Sequence, residues 1–301
     1  MCHLYSAVTT LVCTLFLLGL PSSQGEPTSE TPQGQRHSHL GLPSSQGEPT
    51  SHLHDLQARA GETSKATVGE PTAHIHDLQY HLDEAGKLLT QAKDNYANLQ
   101  DYTAEIHKQV HVHGELEKDE RTLIKFQKPF KVYLKWLKGE NDGAELLYVE
   151  GQNNGEMIVH KKLIFGIKKT LELAPEGFWV RKFSKRSIKD AGFVGIISMS
   201  CKEFEEARKN NDIMAVSCST EEVNGRPAHK VAFAVSPQGR HNGYQCRSAE
   251  EYFDAEHFMP VKVTFWLWEN DEVESFTFKN IKLNVGLSDN DFDRKNEEYN
   301  F

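Results

Sequence analysis

The chain has 301 residues, 38% hydrophobic and 26% charged, with a formal net charge of −9 at pH 7. That length allows one or two domains with a real core, and the acidic excess speaks against a general nucleic-acid binder. The sequence contains no nucleophile elbow, phosphate loop, dinucleotide fingerprint or H-E-x-x-H pattern, so it offers no familiar catalytic or cofactor site.

Leu11 to Leu20 is a short apolar run holding Leu15, Phe16, Leu17 and Leu18, followed by Pro21, Ser22, Ser23, Gln24 and Gly25. It is too short to span a bilayer and reads as a secretory signal over residues 1–25, although no Lys or Arg precedes it. Cys13 lacks the small neighbour of a lipid-attachment site and is read as part of the signal. Export places Cys201, Cys218 and Cys246 in an oxidising compartment, where one disulfide and three free thiols are equal alternatives. GLPSSQGEPTS at Gly19–Ser29 recurs at Gly41–Ser51, and EPTSHLHDLQ at Glu48–Gln57 returns as EPTAHIHDLQ at Glu70–Gln79, both at an offset of 22 residues. Rich in Pro, Gly, Ser and Thr, residues 26–73 are expected to form a disordered spacer of tandem repeats.

Ile75, Leu78, Leu82, Ala85, Leu88, Leu89, Ala92, Tyr96 and Leu99 then recur every three or four residues, which predicts an amphipathic helix of about 25 residues with Thr72 as a cap. Period-two alternation follows. It predicts strands around Ala104–Val110, Leu123–Phe126, Val132–Trp136, Leu146–Glu150 and Met157–His160, with turns at Gly114, Asn141-Asp142-Gly143 and Asn153-Asn154-Gly155. A second helix is predicted over Phe193–Ala207, then strands at Ile213–Ser219 and His229–Val235 about an Asn224-Gly225 turn, and at Tyr244–Asp254, Pro260–Trp268 and Val273–Val285. In the penultimate strand Val261, Val263, Phe265 and Leu267 share one face, and Lys262, Thr264, Trp266 and Trp268 the other.

The H-x-H pairs His37/His39, His52/His54, His74/His76 and His111/His113 have the look of metal ligands. The first three lie in the duplicated segment, the second and third being copies at its 22-residue offset, and no acidic or thiolate ligand recurs at suitable spacing, so no metal site is expected. Glu203, Glu205, Glu206, Glu250 and Glu251 read as solvated acidic faces, and Lys161, Lys162, Lys168, Lys169, Arg181, Lys182, Lys185 and Arg186 as a solvated strand edge. The large apolar residues Phe126, Tyr133, Trp136, Tyr148, Met157, Phe265, Trp266, Trp268, Phe276 and Phe278 are the candidate ligand-binding set. Individually they suit a filled core; their abundance on both faces of several strands points to a cavity.

Tyr102–His160, with F-x-V-Y-L-K-W at Phe130–Trp136 and L-Y-V-E-G at Leu147–Gly151, and KNIKLNVGLSDNDFD at Lys279–Asp293 carry a family resemblance. Over about residues 74–293, with 294–301 left as a tail, the chain resembles the domain-of-unknown-function 1571 family, related in fold to the periplasmic lipoprotein carrier LolA. The resemblance implies an α+β, mainly β fold: a curved antiparallel sheet forming an open half barrel with helices covering its concave side, in an exported, periplasmic protein. The expected function is binding of an acyl chain or lipidated partner, with envelope proteins as further partners, without catalysis, nucleic acid or a membrane span. The alternatives are an envelope scaffold with a filled core and a hydrolase with an unrecognised site.

Overall fold

Alternating apolar residues broken by Gly and Asn turns fold into strands β1 (Asp101–Val112), β2 (Glu115–Gln127), β3 (Lys131–Lys138), β4 (Glu145–Val149), β5 (Met157–Lys162), β6 (Lys168–Leu173), β7 (Ile213–Val223), β8 (Arg226–Val235), β9 (Cys246–Asp254), β10 (Pro260–Leu267) and β11 (Val273–Leu283). The computed structural model describes residues 71–162, 167–178, 180 and 186–301. The expected signal, the repeats before residue 71, and Arg181, Lys182 and Lys185 lie outside the described residues. No helix among the described residues is long and apolar enough to cross a membrane.

The strands form one antiparallel sheet in the order β6-β5-β4-β3-β2-β1-β11-β10-β9-β8-β7. Two meanders are therefore joined where β1 pairs with β11, and β6 and β7 are left as edges of a curved, unclosed sheet. Register shifts within β1, β2 and β10 are the irregularities that bend strands and increase their twist. One of them, between Pro260 and Lys262, turns Val261 away from Val263 and Phe265, so the expected four-residue apolar face of β10 is split between two faces. Lys168 and Lys169 are exposed on edge strand β6, as expected of a solvated edge, whereas Lys161 is turned inward and only 6% exposed.

Helices α1 (Pro71–Asn98) and α2 (Phe193–Lys209) pack on the same face of the sheet and against each other. Ala85, Leu89 and Ala92 of α1, spaced by four and three, are buried there with Phe193, Ile196, Ile197, Phe204 and Ala207 of α2. At the helix–helix contact Arg208 Nη2 lies 2.6 Å from Asp83 Oδ1. Arg208 and Lys209 in the last turn of α2 also favour its C-terminal dipole. Cys201, Cys218 and Cys246 are all free thiols.

The opposite face carries its own small core. Tyr133, Leu147, Val149 and Ile158 are covered by Leu287, Phe292, Tyr299 and Phe301, with Tyr133 and Tyr299 stacked 3.9 Å apart. Residues 294–301, expected as a tail, thus include packed side chains. Asn300 donates to both oxygens of the fully buried Glu145, from its backbone nitrogen at 2.9 Å and from Nδ2 at 2.6 Å. Replacing Asn300 by Ala removes the side-chain bond from a buried carboxylate and should cost about 1–3 kcal/mol in urea unfolding. A loss below about 0.5 kcal/mol would mean that the C-terminal segment does not hold Glu145 in solution.

Candidate functional site: an apolar cavity with a charged end

Inward-facing residues of the three central strands change character along their length. Tyr102, Ala104 and Ile106 of β1 give way to Lys108; Phe126 and Ile124 of β2 to Thr122 and Glu120; Phe278 and Phe276 of β11 to Glu274. The register places Lys108 opposite both Glu120 and Phe276. The apolar ends meet the helices as a solid core, where Tyr102 stacks between Phe126 and Phe193. Between the charged ends and the residues Val180 and Arg186 to Lys202 lies a cavity of about 780 Å³, walled by Leu134, Trp136, Leu146, Met157 and Val159 from β3 to β5 and by Ile196 and Met199 from α2.

The charged end is internally paired. Lys108 Nζ is 3.2 Å and Arg186 Nη2 2.9 Å from opposite oxygens of Glu274. Lys161 Nζ donates to Asn141 Oδ1 at 2.6 Å, and Asn141 Nδ2 donates to Glu120 Oε1 at 3.3 Å. Burial is the main cause of each resolved shift: it pulls the Lys108 ammonium down, takes that of Lys161 down to about 8, and pushes the Glu120 carboxyl up. The groups that favour their charged forms are Glu274 for Lys108, Glu140 and Glu120 for Lys161, and Lys108 for Glu120. At the rim Arg240 pairs with Glu269, and Trp268 Nε1 donates to the Tyr244 carbonyl at 2.8 Å, fixing its ring.

Of the ten expected residues, Trp136, Met157, Trp268, Phe276 and Phe278 line this cavity. Phe126, Tyr148 and Phe265 are buried in the main core beside it. Tyr133 lies on the other face under Tyr299, and Trp266 is a half-buried strand residue opposite Val273 and Ser248. The aromatic excess on two faces therefore has two sources, a cavity on one side and a C-terminal cover on the other. The charged cavity residues were missed, although Lys108, Glu120 and Glu274 all fall in phase with apolar residues. Two acids read as solvated are also buried: Glu203 at 7% and Glu251 at 1% exposure. Elsewhere Asp254, Glu256 and His257 offer ligand atoms within 4.8 Å of one another. Asp254 is already held by Arg226 and by the N–H groups of Glu256 and His257, each at 3.0 Å, so the cluster serves a turn.

The model of the family described as Protein of unknown function (DUF1571) matches residues 99–301. The chain belongs to that family. In this DUF1571 chain the matched span contains all eleven described strands, α2 and every cavity residue named above. Among solved structures, the Mycobacterium tuberculosis lipoprotein LppX is 12% identical, with 68% of this chain and 98% of that chain covered and a TM-score of 0.39. A LolA superfamily protein from Nitrosomonas europaea is 10% identical, over 69% of this chain and 97% of that one, with a TM-score of 0.31. The Pseudomonas aeruginosa MucA/MucB complex gives 12% identity, 70% and 60% coverage, and a TM-score of 0.40. No curated protein matches the chain.

Proposed function

We propose that this DUF1571 protein holds the hydrocarbon part of an amphiphile, an acyl chain or the lipid of a lipidated partner, without catalysis, in an exported protein of the bacterial envelope. The sheet would act as a half barrel of the lipoprotein-carrier kind, its concave side covered by the helices. The observation that carries this reading is the cavity of about 780 Å³, with walls of Leu, Ile, Met, Val, Phe and Trp side chains. That volume suits a ligand of lipid or drug size, and an apolar wall rewards the burial of methylenes.

Mass spectrometry of solvent extracts from the natively purified protein should show a co-purifying lipid. A thermal-shift series of amphiphiles should rise with chain length, since each buried methylene contributes about 0.8 kcal/mol to binding of the native state. Sugars and zinc should shift the melting temperature little. Strong stabilisation by zinc, with none from any acyl compound, would refute lipid binding. Trp136 is both core and wall, so Trp136→Ala should lose about 3 kcal/mol of stability and also weaken acyl binding. Unchanged stability and binding would place the indole elsewhere.

A further inference from the structure

Two polar atoms of the cavity wall, Glu120 Oε2 and Trp136 Nε1, have no hydrogen-bond partner among the described residues. Both side chains are more than nine-tenths buried, at 3% and 6% exposure. They are also near in register: Trp136 is paired with Thr122, and Glu120 lies two residues further along β2, past a register shift that sets Arg121 opposite Lys138, with both side chains lining the cavity. Diagonal positions of this kind are within reach of long side chains. Gly139 leaves room for the glutamate arm, because a Cβ there would stand 2.7 Å from Glu120 Cγ. A buried donor or acceptor left alone costs free energy, and the cost is recovered when a bound molecule supplies the missing bond.

The chemistry of the two atoms restricts that molecule. The indole N–H only donates, whereas a carboxyl accepts when ionised and donates when protonated. A hydroxyl satisfies all of these, accepting from the indole and serving Glu120 in either protonation state. A charged head group fits less well. An anion beside Trp136 would face Glu120, with Glu272 and Glu274 on the same wall; Lys108 and Arg186 are engaged by Glu274, Arg240 by Glu269, and Lys202 is an exposed residue of α2. An ammonium offers no acceptor to Trp136 and requires an ionised Glu120, which burial disfavours.

We propose that the cavity selects an uncharged amphiphile bearing a free hydroxyl, of the monoacylglycerol or long-chain diol kind, with the hydroxyl bound between Trp136 Nε1 and the Glu120 carboxyl. The terminal torsion of a glutamate is broad, so the carboxyl can turn towards the bound group. This inference rests on the lipid-binding reading and adds the head group to it.

The test measures binding of four lipids with the same chain to the full protein: monoolein, methyl oleate, oleate and oleylamine. Monoolein should bind about tenfold more tightly than each of the others, equivalent to about 1.4 kcal/mol. In Glu120→Leu its advantage over methyl oleate should fall below about threefold, while Glu120→Gln, which keeps a donor and an acceptor, should retain it. Oleate or oleylamine binding as tightly as monoolein would overturn the proposal, as would an intact monoolein advantage in a folded Glu120→Leu protein. The comparison on the unaltered chain decides the matter even where a variant fails to fold. Absence of binding by all four lipids would instead sink the lipid-binding reading itself.

Discussion

Adding a single methyl group at Gly192 is expected to cost about 4 kcal/mol or more, a large share of the roughly 5–15 kcal/mol that keeps an ordinary protein folded. Gly192 enters α2 at φ 74° and ψ −144°, a backbone region in which side chains other than hydrogen are strained. The methyl would also stand 2.0 Å from the Tyr102 hydroxyl oxygen and 2.8 Å from Ile124 Cδ1. Both neighbours are fully buried, and Tyr102 is stacked between two phenylalanines, so neither can move cheaply. The same hydroxyl accepts the Phe193 N–H at 3.1 Å, standing in for the capping side chain that α2 lacks. Urea unfolding of Gly192→Ala measures the loss. In a Tyr102→Phe background the substitution should cost at least about 1 kcal/mol less, because the closest clash is gone. A cost below about 1 kcal/mol in the unaltered background would show that α2 does not start against Tyr102. The cavity wall depends on that start, since Ile196 and Met199 follow within two turns.

Much of this architecture was legible because period and punctuation agree. The three- and four-residue spacing through Ala85, Leu89 and Ala92 gives α1, and Asn224-Gly225, with both φ values positive, gives the β7–β8 hairpin. The first half of β2, Glu115 to Thr122, was not legible, because E-L-E-K-D-E-R-T has almost no apolar face. It is held as a strand by pairing with β1, joined by β3 only from Arg121 onward. Alternation also says which residues share a face without saying which face is inside. Tyr133 and Trp136 belong to one short apolar run, yet one stacks under the C-terminal segment and the other lines the cavity. The charged end did leave a signal: Lys108 keeps the phase of Ala104 and Ile106, and Glu274 that of Phe276 and Phe278. A charge in an apolar phase points to a buried pair, but the partner Arg186 comes from a connection whose position no periodicity specifies.

Glu251→Gln is expected to stabilise the protein increasingly as the pH rises. Glu251 lies in β9 with no exposed surface to speak of, and neither of its carboxyl oxygens has a hydrogen-bond partner among the described residues. The Ser200 hydroxyl is near but short of hydrogen-bond geometry, and Glu203, also on α2, is a second acid close by. Cys201 and Cys246 complete the surroundings; their thiols are pushed up, chiefly by burial, and carry no compensating charge. Burial first, and Glu203 after it, raise the Glu251 carboxyl from 4.5 to about 8. Below pH 4.5 it is protonated in both folded and unfolded chains, and its neutral form is accommodated at no ionisation cost. Between 4.5 and about 8 the unfolded chain releases the proton while the folded one keeps it. Stability contributed by the neutral acid is thus lost as pH rises, by about 1.4 kcal/mol per unit, and the loss levels off above pH 8. Asp254 and Asp291, whose carboxyls are held low by backbone and side-chain bonds, act in the opposite direction at acid pH, so the total pH curve is a mixture. The difference between the unaltered protein and Glu251→Gln isolates one group. Unfolding free energies of the two should diverge by about 3 kcal/mol or more between pH 5 and pH 8, the variant gaining. Parallel curves would mean that Glu251 is already ionised in the folded protein, and that α2 does not seal it from water.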